Sequence, residues 1–108
     1  MTDKYINAKG LVGVIISPEF GAGFHTWNEI PGLCFDRDII QMIIEDKPIQ
    51  EISDFVEAKY EHTGYVSTLG LRDVEITWLK PGTQFFLNEY DGNESIILIE
   101  NNEDILTA

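Results

Sequence analysis

The stretch that decides the fold is VEITWLKPGTQFFLNEYDGNESIILI, residues 74–99. Its apolar residues largely alternate with polar ones, and two turn sequences interrupt the pattern, Lys80-Pro81-Gly82 and Asp91-Gly92. Alternation with a period of two is typical of half-buried strands, and short turns force neighbouring strands to run antiparallel. The stretch therefore predicts a three-stranded meander, with strands at Val74–Leu79, Phe85–Tyr90 and Ile96–Ile99.

The chain before the meander predicts one strand and two helices. GLVGVIISP, residues 10–18, is almost wholly apolar and rich in β-branched residues, which is typical of a strand buried on both faces. Asp36 is suited to cap a helix that ends near Ile44, and Pro48 is suited to the first turn of a second helix that reaches Tyr60. We expect an α+β fold: one antiparallel sheet, made of the N-terminal strand and the meander, with both helices packed on one face.

Length and composition predict a single domain over residues 1–108. The hydrophobic content of 44% is enough for one core, and the longest apolar runs fall well short of the roughly 20 residues that span a bilayer. The start of the chain lacks the basic and apolar regions of a signal peptide. Cys34 is the single cysteine, so no internal disulfide can form. We expect a soluble protein of a reducing cytoplasm, without a membrane segment.

The charge is strongly negative. Nineteen acidic residues against seven basic ones give a net charge of -12, and no lysine or arginine follows Lys80. Such a field repels DNA, RNA and anionic membranes, so direct nucleic-acid binding is not expected. The acidic C-terminal part has two interpretations: a solvated face with a frayed tail, or a surface that docks on a basic partner and imitates a nucleic acid to it.

The glycine-rich stretch FGAGFHTWN, residues 20–28, is the first candidate binding site. It matches neither the Walker phosphate-binding loop of nucleoside triphosphatases nor the dinucleotide fingerprint. Its glycines either let two rings tuck into the core, or they shape a platform on which the rings stack a nucleobase or nicotinamide. The candidate ligand-binding residues of this stretch are Gly21, Gly23, Phe24, Thr26 and Trp27.

Two arginines are the second candidate feature, because basic residues are scarce in this chain. Arg37 falls in the first turn of a predicted helix, where the helix dipole disfavours it, and Arg72 precedes Asp73 at the entry to the meander. Each arginine either pairs with a neighbouring carboxylate or uses its guanidinium fork to hold a phosphate, with Asp73 accepting from a ribose hydroxyl. Arg37, Arg72 and Asp73 complete the candidate ligand site.

No arrangement of residues predicts catalysis, a metal site or a cofactor. Cys34 with His25 is an available nucleophile and base, but spacing alone does not support the pair, and a lone cysteine between apolar residues is usually a core residue. The carboxylates around the last turn, Glu89, Asp91 and Glu94, lack the spacing of a calcium loop. An enzyme that uses Cys34 or His25 stays the weakest of the alternatives.

Four segments together resemble a family of small phage-encoded proteins. They are GAGFHTWN, CFDRDII, GLRDVEITWLKPGTQF and NEYDGNESI, and the resemblance runs from about Val12 to Ile99. The pattern is similar to that of the phage Thoeris anti-defence sponges, which sequester a cyclic ADP-ribose signal in the host and are not enzymes. The resemblance implies ligand contacts at Phe24, Trp27, Arg72 and Asp73. The heavy negative charge departs from it, since a sponge for an anion needs arginines that overcome this field, for example from two subunits.

Two functions follow as expectations. The first is a non-catalytic anti-defence protein that sequesters a small nucleotide-derived immune signal in the host cytoplasm. The second is an acidic interaction protein that inhibits a host defence or nucleic-acid-binding protein by charge mimicry. We also expect a homo-oligomer, because the last strand, SIILIEN, is an apolar edge that needs a cover.

Overall fold

The computed structural model describes residues 4–28, 30–64, 66–99 and 106–108. Its strands are β1 (Val12–Ile16), β2 (Glu75–Leu79), β3 (Gln84–Tyr90), β4 (Asn93–Leu98) and β5 (Leu106–Thr107). Its α-helices are α1 (His25–Asn28), α2 (Arg37–Ile44) and α3 (Ile49–Lys59), and 3₁₀ helices cover Leu33–Phe35, Glu61–Thr63 and Leu69–Asp73. This mixture confirms the predicted α+β class. The acidic residues Glu100, Glu103 and Asp104 lie outside the described residues.

The strands form two antiparallel sheets, which differs from the single sheet that the sequence predicts. β1 pairs with β2, so that Val12 lies opposite Leu79, while β3 lies between β4 and β5. A meander would place β2 beside β3, but β5 occupies that position, with Leu106 opposite Phe85. The chain therefore leaves the first sheet at Lys80 and starts a second one.

Strand β1 lies between two hydrophobic clusters, as its predicted burial on both faces requires. All five of its residues are buried. Ile15 belongs to the cluster that contains the apolar residues of α2 and α3, whereas Val14 and Ile16 belong to a second cluster with Phe85 of β3. Because successive side chains of a strand point to opposite faces, the helices lie on one side of β1 and the second sheet lies on the other.

The two longer helices begin where the sequence predicts them. The Asp36 side chain caps α2 by accepting from the Ile39 backbone N–H at 3.0 Å. Ile39 and Ile40 are buried, whereas Ile44 at the end of α2 is exposed, so the buried face of α2 is narrower than its apolar pattern indicates. Within the described ranges, no helix combines the length and the apolar character needed to cross a bilayer.

Strand β4 lies at an edge of the second sheet, as the sequence predicts for the last long strand. Ile97 and Leu98 are exposed there. Leu98 lies at the open end of the β3–β4 hairpin, opposite the end that the Asp91-Gly92 turn closes. An exposed apolar edge favours pairing with another chain. Oligomerisation through β4 stays a prediction.

Candidate functional site

The glycine-rich stretch surrounds the carboxylate of Glu94, which is almost fully buried. One carboxylate oxygen accepts from the Ser17 backbone N–H at 2.8 Å. The other accepts from the backbone N–H groups of Phe24 at 3.0 Å and Thr26 at 2.9 Å, and from the Thr26 hydroxyl at 2.6 Å. Converging backbone N–H groups of this kind bind anions. The anion here is the protein's own side chain, so these donors are not open to a phosphate.

The turn after β3 holds the same stretch from the other side. The Gly21 N–H donates to the Asp91 carbonyl at 2.6 Å, and the Asn93 side-chain amide donates to the Pro18 carbonyl. Gly70 closes the contact from a third direction, because a Cβ there would lie 2.5 Å from the Gly23 carbonyl oxygen. The stretch is therefore fixed by two separate parts of the chain, residues 91–94 and Gly70.

The two rings that the sequence singled out have different positions. Phe24 is sealed in the core beside the helices, which leaves it no face for stacking a ligand. Trp27 is 43% exposed, and its indole N–H donates to a Glu89 carboxylate oxygen at 3.3 Å. A Cβ at Gly23 would lie 2.7 Å from both the Thr26 hydroxyl and the Trp27 ring, so Gly23 is needed for packing. Phe24, Thr26 and Gly23 thus have structural roles.

Arg72 and Asp73 line an open cleft of about 210 Å³ together with the start of the glycine-rich stretch. The lining residues are Ser17, Glu19, Phe20, Gly21, Ala22, Leu69, Gly70, Arg72 and Asp73. Both charged residues of the 3₁₀ helix are exposed. The Arg72 guanidinium makes no hydrogen bond or ion pair with any residue that the structure describes. Of the predicted site, the structure brings together Gly21, Arg72 and Asp73.

Phe20 is the aromatic residue of the cleft, and the sequence interpretation missed it. Its ring is 65% exposed and meets the Tyr90 ring edge-on, with centroids 6.2 Å apart. Leu69, which is 59% exposed, also lines the cleft. The one available signal was the position of Phe20 just after Pro18-Glu19, where a strand has ended and a side chain is free to point outward.

Arg37 lies in a separate depression, lined by Pro31, Gly32, Asp36, Arg37, Asp38, Lys59 and Tyr60. Its guanidinium is 5.9 Å from the centre of the Tyr5 ring. The polar centre of this depression is Asp36, whose carboxylate contacts Lys59 Nζ at 2.8 Å and accepts from the Tyr60 hydroxyl. Burial, together with that hydrogen bond, raises the pKa of Tyr60. Arg37 therefore does not join Arg72 in one site within the chain.

Cys34 and His25 are neighbours, but their contact runs through the backbone. The Cys34 backbone N–H donates to His25 Nδ1 at 3.1 Å. Burial lowers the pKa of His25, although the nearby Glu94 opposes this shift. The Cys34 side chain is buried, and burial, reinforced by Glu94, raises the pKa of its thiol to about 12. A thiol that stays protonated and covered is a poor nucleophile.

We expect Cys34 of the folded protein to react with a disulfide-exchange reagent at least about a hundredfold more slowly than in the urea-unfolded chain, because only the exposed thiolate reacts. Stopped reactions analysed by mass spectrometry at mildly alkaline pH would measure both rates. Equal rates in the two states would contradict the burial of the thiol.

The candidate site is a small open cleft on an α+β fold. No protein-family model, no curated protein and no solved structure matches the chain.

Proposed function

We propose that this protein is a non-catalytic, acidic interaction protein that binds a positively charged region of another protein. The observation that carries the proposal is the charge of the cleft on a chain of net charge -12. Glu19 and Asp73 contribute two carboxylates to the described lining, against the one guanidinium of Arg72. A negative potential of this kind attracts a basic partner and speeds its association.

The resemblance to phage-encoded proteins supports a host protein as that partner. A basic defence protein or a nucleic-acid-binding protein carries the positive surface that an acidic chain would cover. Binding would then compete with the partner's own nucleic acid or effector, since both occupy the same positive surface. The proposed effect is inhibition by charge mimicry.

Salt-dependent capture tests this proposal. The immobilised protein is incubated with host lysate at low and at high salt, and captured proteins are identified by mass spectrometry. Electrostatic capture weakens as salt screens the charges, so basic proteins should be lost at high salt. A bait with Glu51→Gln and Glu57→Gln, two exposed charges of α3 that do not line the cleft, is the matched control for a bait with Glu19→Gln and Asp73→Asn in the cleft. Recovery of no basic protein at low salt would contradict the proposal.

A nucleotide-derived ligand is the second candidate function, and Arg72 favours it. The Arg72 guanidinium has no ion pair among the described residues, and it lines the same cleft as the exposed Phe20 ring. Such a pair is suited to bind a phosphate and to stack the base next to it. Sequestering a cyclic ADP-ribose or cyclic nucleotide signal would follow from such a site. Against it stand the two carboxylates of the lining and the Glu94 carboxylate, which already accepts from backbone N–H groups of the glycine-rich stretch.

Arg72→Gln separates the two candidates. If the cleft binds a nucleotide, we expect its affinity to fall by about tenfold or more, because a charge-assisted pair contributes roughly 1.5–3 kcal/mol. If the partner is basic, the same variant should bind equally well or better, since a like charge is removed. Calorimetry with cyclic ADP-ribose measures the affinity in the first case, and capture of basic proteins measures binding in the second. Arg37→Gln is the matched control, with the same charge change in the other depression.

A further inference from the structure

Phe20 and Leu69 are exposed side chains that line the cleft, and the exposed Tyr90 ring packs against Phe20. We refer to Phe20, Leu69 and Tyr90 as the Phe20 face. They are 65%, 59% and 73% exposed, respectively. Large apolar side chains that are exposed together mark interaction surfaces more often than isolated ones do, and aromatic residues dominate binding energy at protein interfaces. The Phe20 face is thus the place where apolar contact is available beside the charged cleft.

The Phe20 face is held in place before any partner arrives. The Phe20 and Tyr90 rings pack edge to face, and the hydrogen bond from Gly21 N–H to the Asp91 carbonyl ties together the segments that carry them. The Glu89 carboxylate fixes the base of the same turn by accepting from the Gly92 N–H at 2.7 Å. A fixed surface loses less conformational entropy on binding than a mobile one.

Carboxylates border the Phe20 face. Glu19 and Asp73 lie in the cleft, and exposed Glu89 and Asp91 flank Tyr90 along the chain. Arg72 is the one basic side chain in the described lining. This excess of negative charge complements a positive partner and disfavours docking on the same face of a second copy, because the carboxylates of the two faces would repel each other. The same excess disfavours an anionic ligand.

The size of the cleft also bears on its occupant. Its volume of about 210 Å³ lies below the roughly 300–1,000 Å³ of ordinary small-molecule sites. An open cleft of this size is suited to one side chain of a protein whose remaining contacts lie on the surrounding surface. Phe20 and Leu69 supply apolar walls for the stem of a long side chain, and Glu19 and Asp73 supply acceptors for its charged end.

We infer that the Phe20 face docks a protein segment that carries lysine or arginine beside apolar residues, with one basic side chain entering the cleft. This inference rests on the proposed function and adds the surface, the partner chemistry and the residues that dominate binding. Phe20 and Tyr90 contribute the apolar contact, and the carboxylates of the cleft select the positive charge.

A defined peptide tests the inference by nuclear magnetic resonance. The ¹⁵N-labelled protein is titrated with a synthetic peptide of alternating arginine and leucine, with the same peptide carrying glutamate for arginine, and with AMP. We expect the arginine peptide alone to shift the amide signals of Gly21, Leu69 and Arg72. Shifts confined to α3, no shift with the arginine peptide, or shifts at these amides with AMP and not with the peptide would overturn the inference.

A pair of variants ties the binding to the Phe20 face. We expect Phe20→Ser to lower the affinity of the protein for the arginine peptide by about tenfold or more, and a tenfold loss corresponds to about 1.4 kcal/mol of binding free energy. Leu98→Ser is the matched control, because Leu98 is 67% exposed and lies at the opposite end of the β3–β4 hairpin, and it should change the affinity by less than about twofold. Thermal unfolding of both variants confirms that they are folded. Equal weakening by the two variants would overturn the inference.

The failure of the inference and the failure of the proposed function give different results. If Phe20→Ser bait still captures the same basic proteins at low salt, the protein is an interaction protein but its docking surface lies elsewhere, and the inference is wrong. If wild-type bait captures no basic protein, the proposed function itself is wrong.

Discussion

Glu94→Gln is expected to lower the free energy of unfolding by about 3 kcal/mol, because the amide replaces one of two acceptor oxygens with a donor. Both carboxylate oxygens are in use, one by Ser17 and the other by Phe24 and Thr26. Whichever way the amide is turned, its NH₂ group faces at least one buried backbone N–H. The remaining hydrogen bonds also lose the contribution of the negative charge.

Urea unfolding followed by tryptophan fluorescence measures this loss. Glu75→Gln on β2 is the matched control, since Glu75 is an exposed strand carboxylate and the same chemical change there should cost no more than about 0.5 kcal/mol. Amide hydrogen exchange adds a local measurement, because the N–H groups of Ser17, Phe24 and Thr26 should lose protection first. Equal stability losses in the two variants would show that the carboxylate of Glu94 is not what holds the glycine-rich stretch.

The helices and β1 were predictable because their signals are local. Asp36 lies three residues before the backbone N–H that it caps, and the unbroken apolar run of β1 indicates burial on both faces. The second sheet was not predictable in the same way. β5 is a two-residue strand whose pairing with β3 joins residues more than 20 positions apart, and no local pattern marks it.

The candidate site was predictable only in part for the same reason. Arg72, Asp73 and Gly21 do share a cleft, but Glu94 looked like one more solvated carboxylate in an acidic region. Its partner Ser17 is 77 residues away along the chain. Burial of a carboxylate by distant backbone N–H groups leaves no trace in residue spacing, so the function of the glycine-rich stretch could not be derived from the stretch alone.

The segments on which the predicted resemblance rests contact one another in the structure. The GAGFHTWN and NEYDGNESI segments bind each other through Trp27 and Glu89, through Gly21 and Asp91, and through Thr26 and Glu94. The residues of these segments therefore have packing roles, and they do not by themselves imply a ligand. The exposed residues of the cleft are the ones on which a difference in binding would depend.

Gly92→Ala is expected to cost about 3–5 kcal/mol of stability, because a side chain there meets backbone that cannot move aside cheaply. A Cβ on Gly92 would lie 2.7 Å from the Ala22 Cα and closer still to the Ala22 nitrogen. Gly92 also has a φ of 87°, in the left-handed region that residues with a side chain rarely adopt. Both effects fall at the contact between the turn and the glycine-rich stretch.

Gly82→Ala separates these two effects. Gly82 has nearly the same φ of 86°, and a Cβ there meets nothing within 4 Å, so this variant should lose only the roughly 1–2 kcal/mol of the left-handed backbone. Urea unfolding of both variants yields the steric contribution as a difference of about 2 kcal/mol or more. The clash would push the Asp91-Gly92 turn away from Gly21, so Gly92→Ala should also separate Tyr90 from Phe20. We therefore expect Gly92→Ala to lower the affinity for the arginine peptide, whereas Gly82→Ala should leave that affinity unchanged. Equal stability in the two variants would mean that the turn and the glycine-rich stretch are not in the close contact from which the cleft is built.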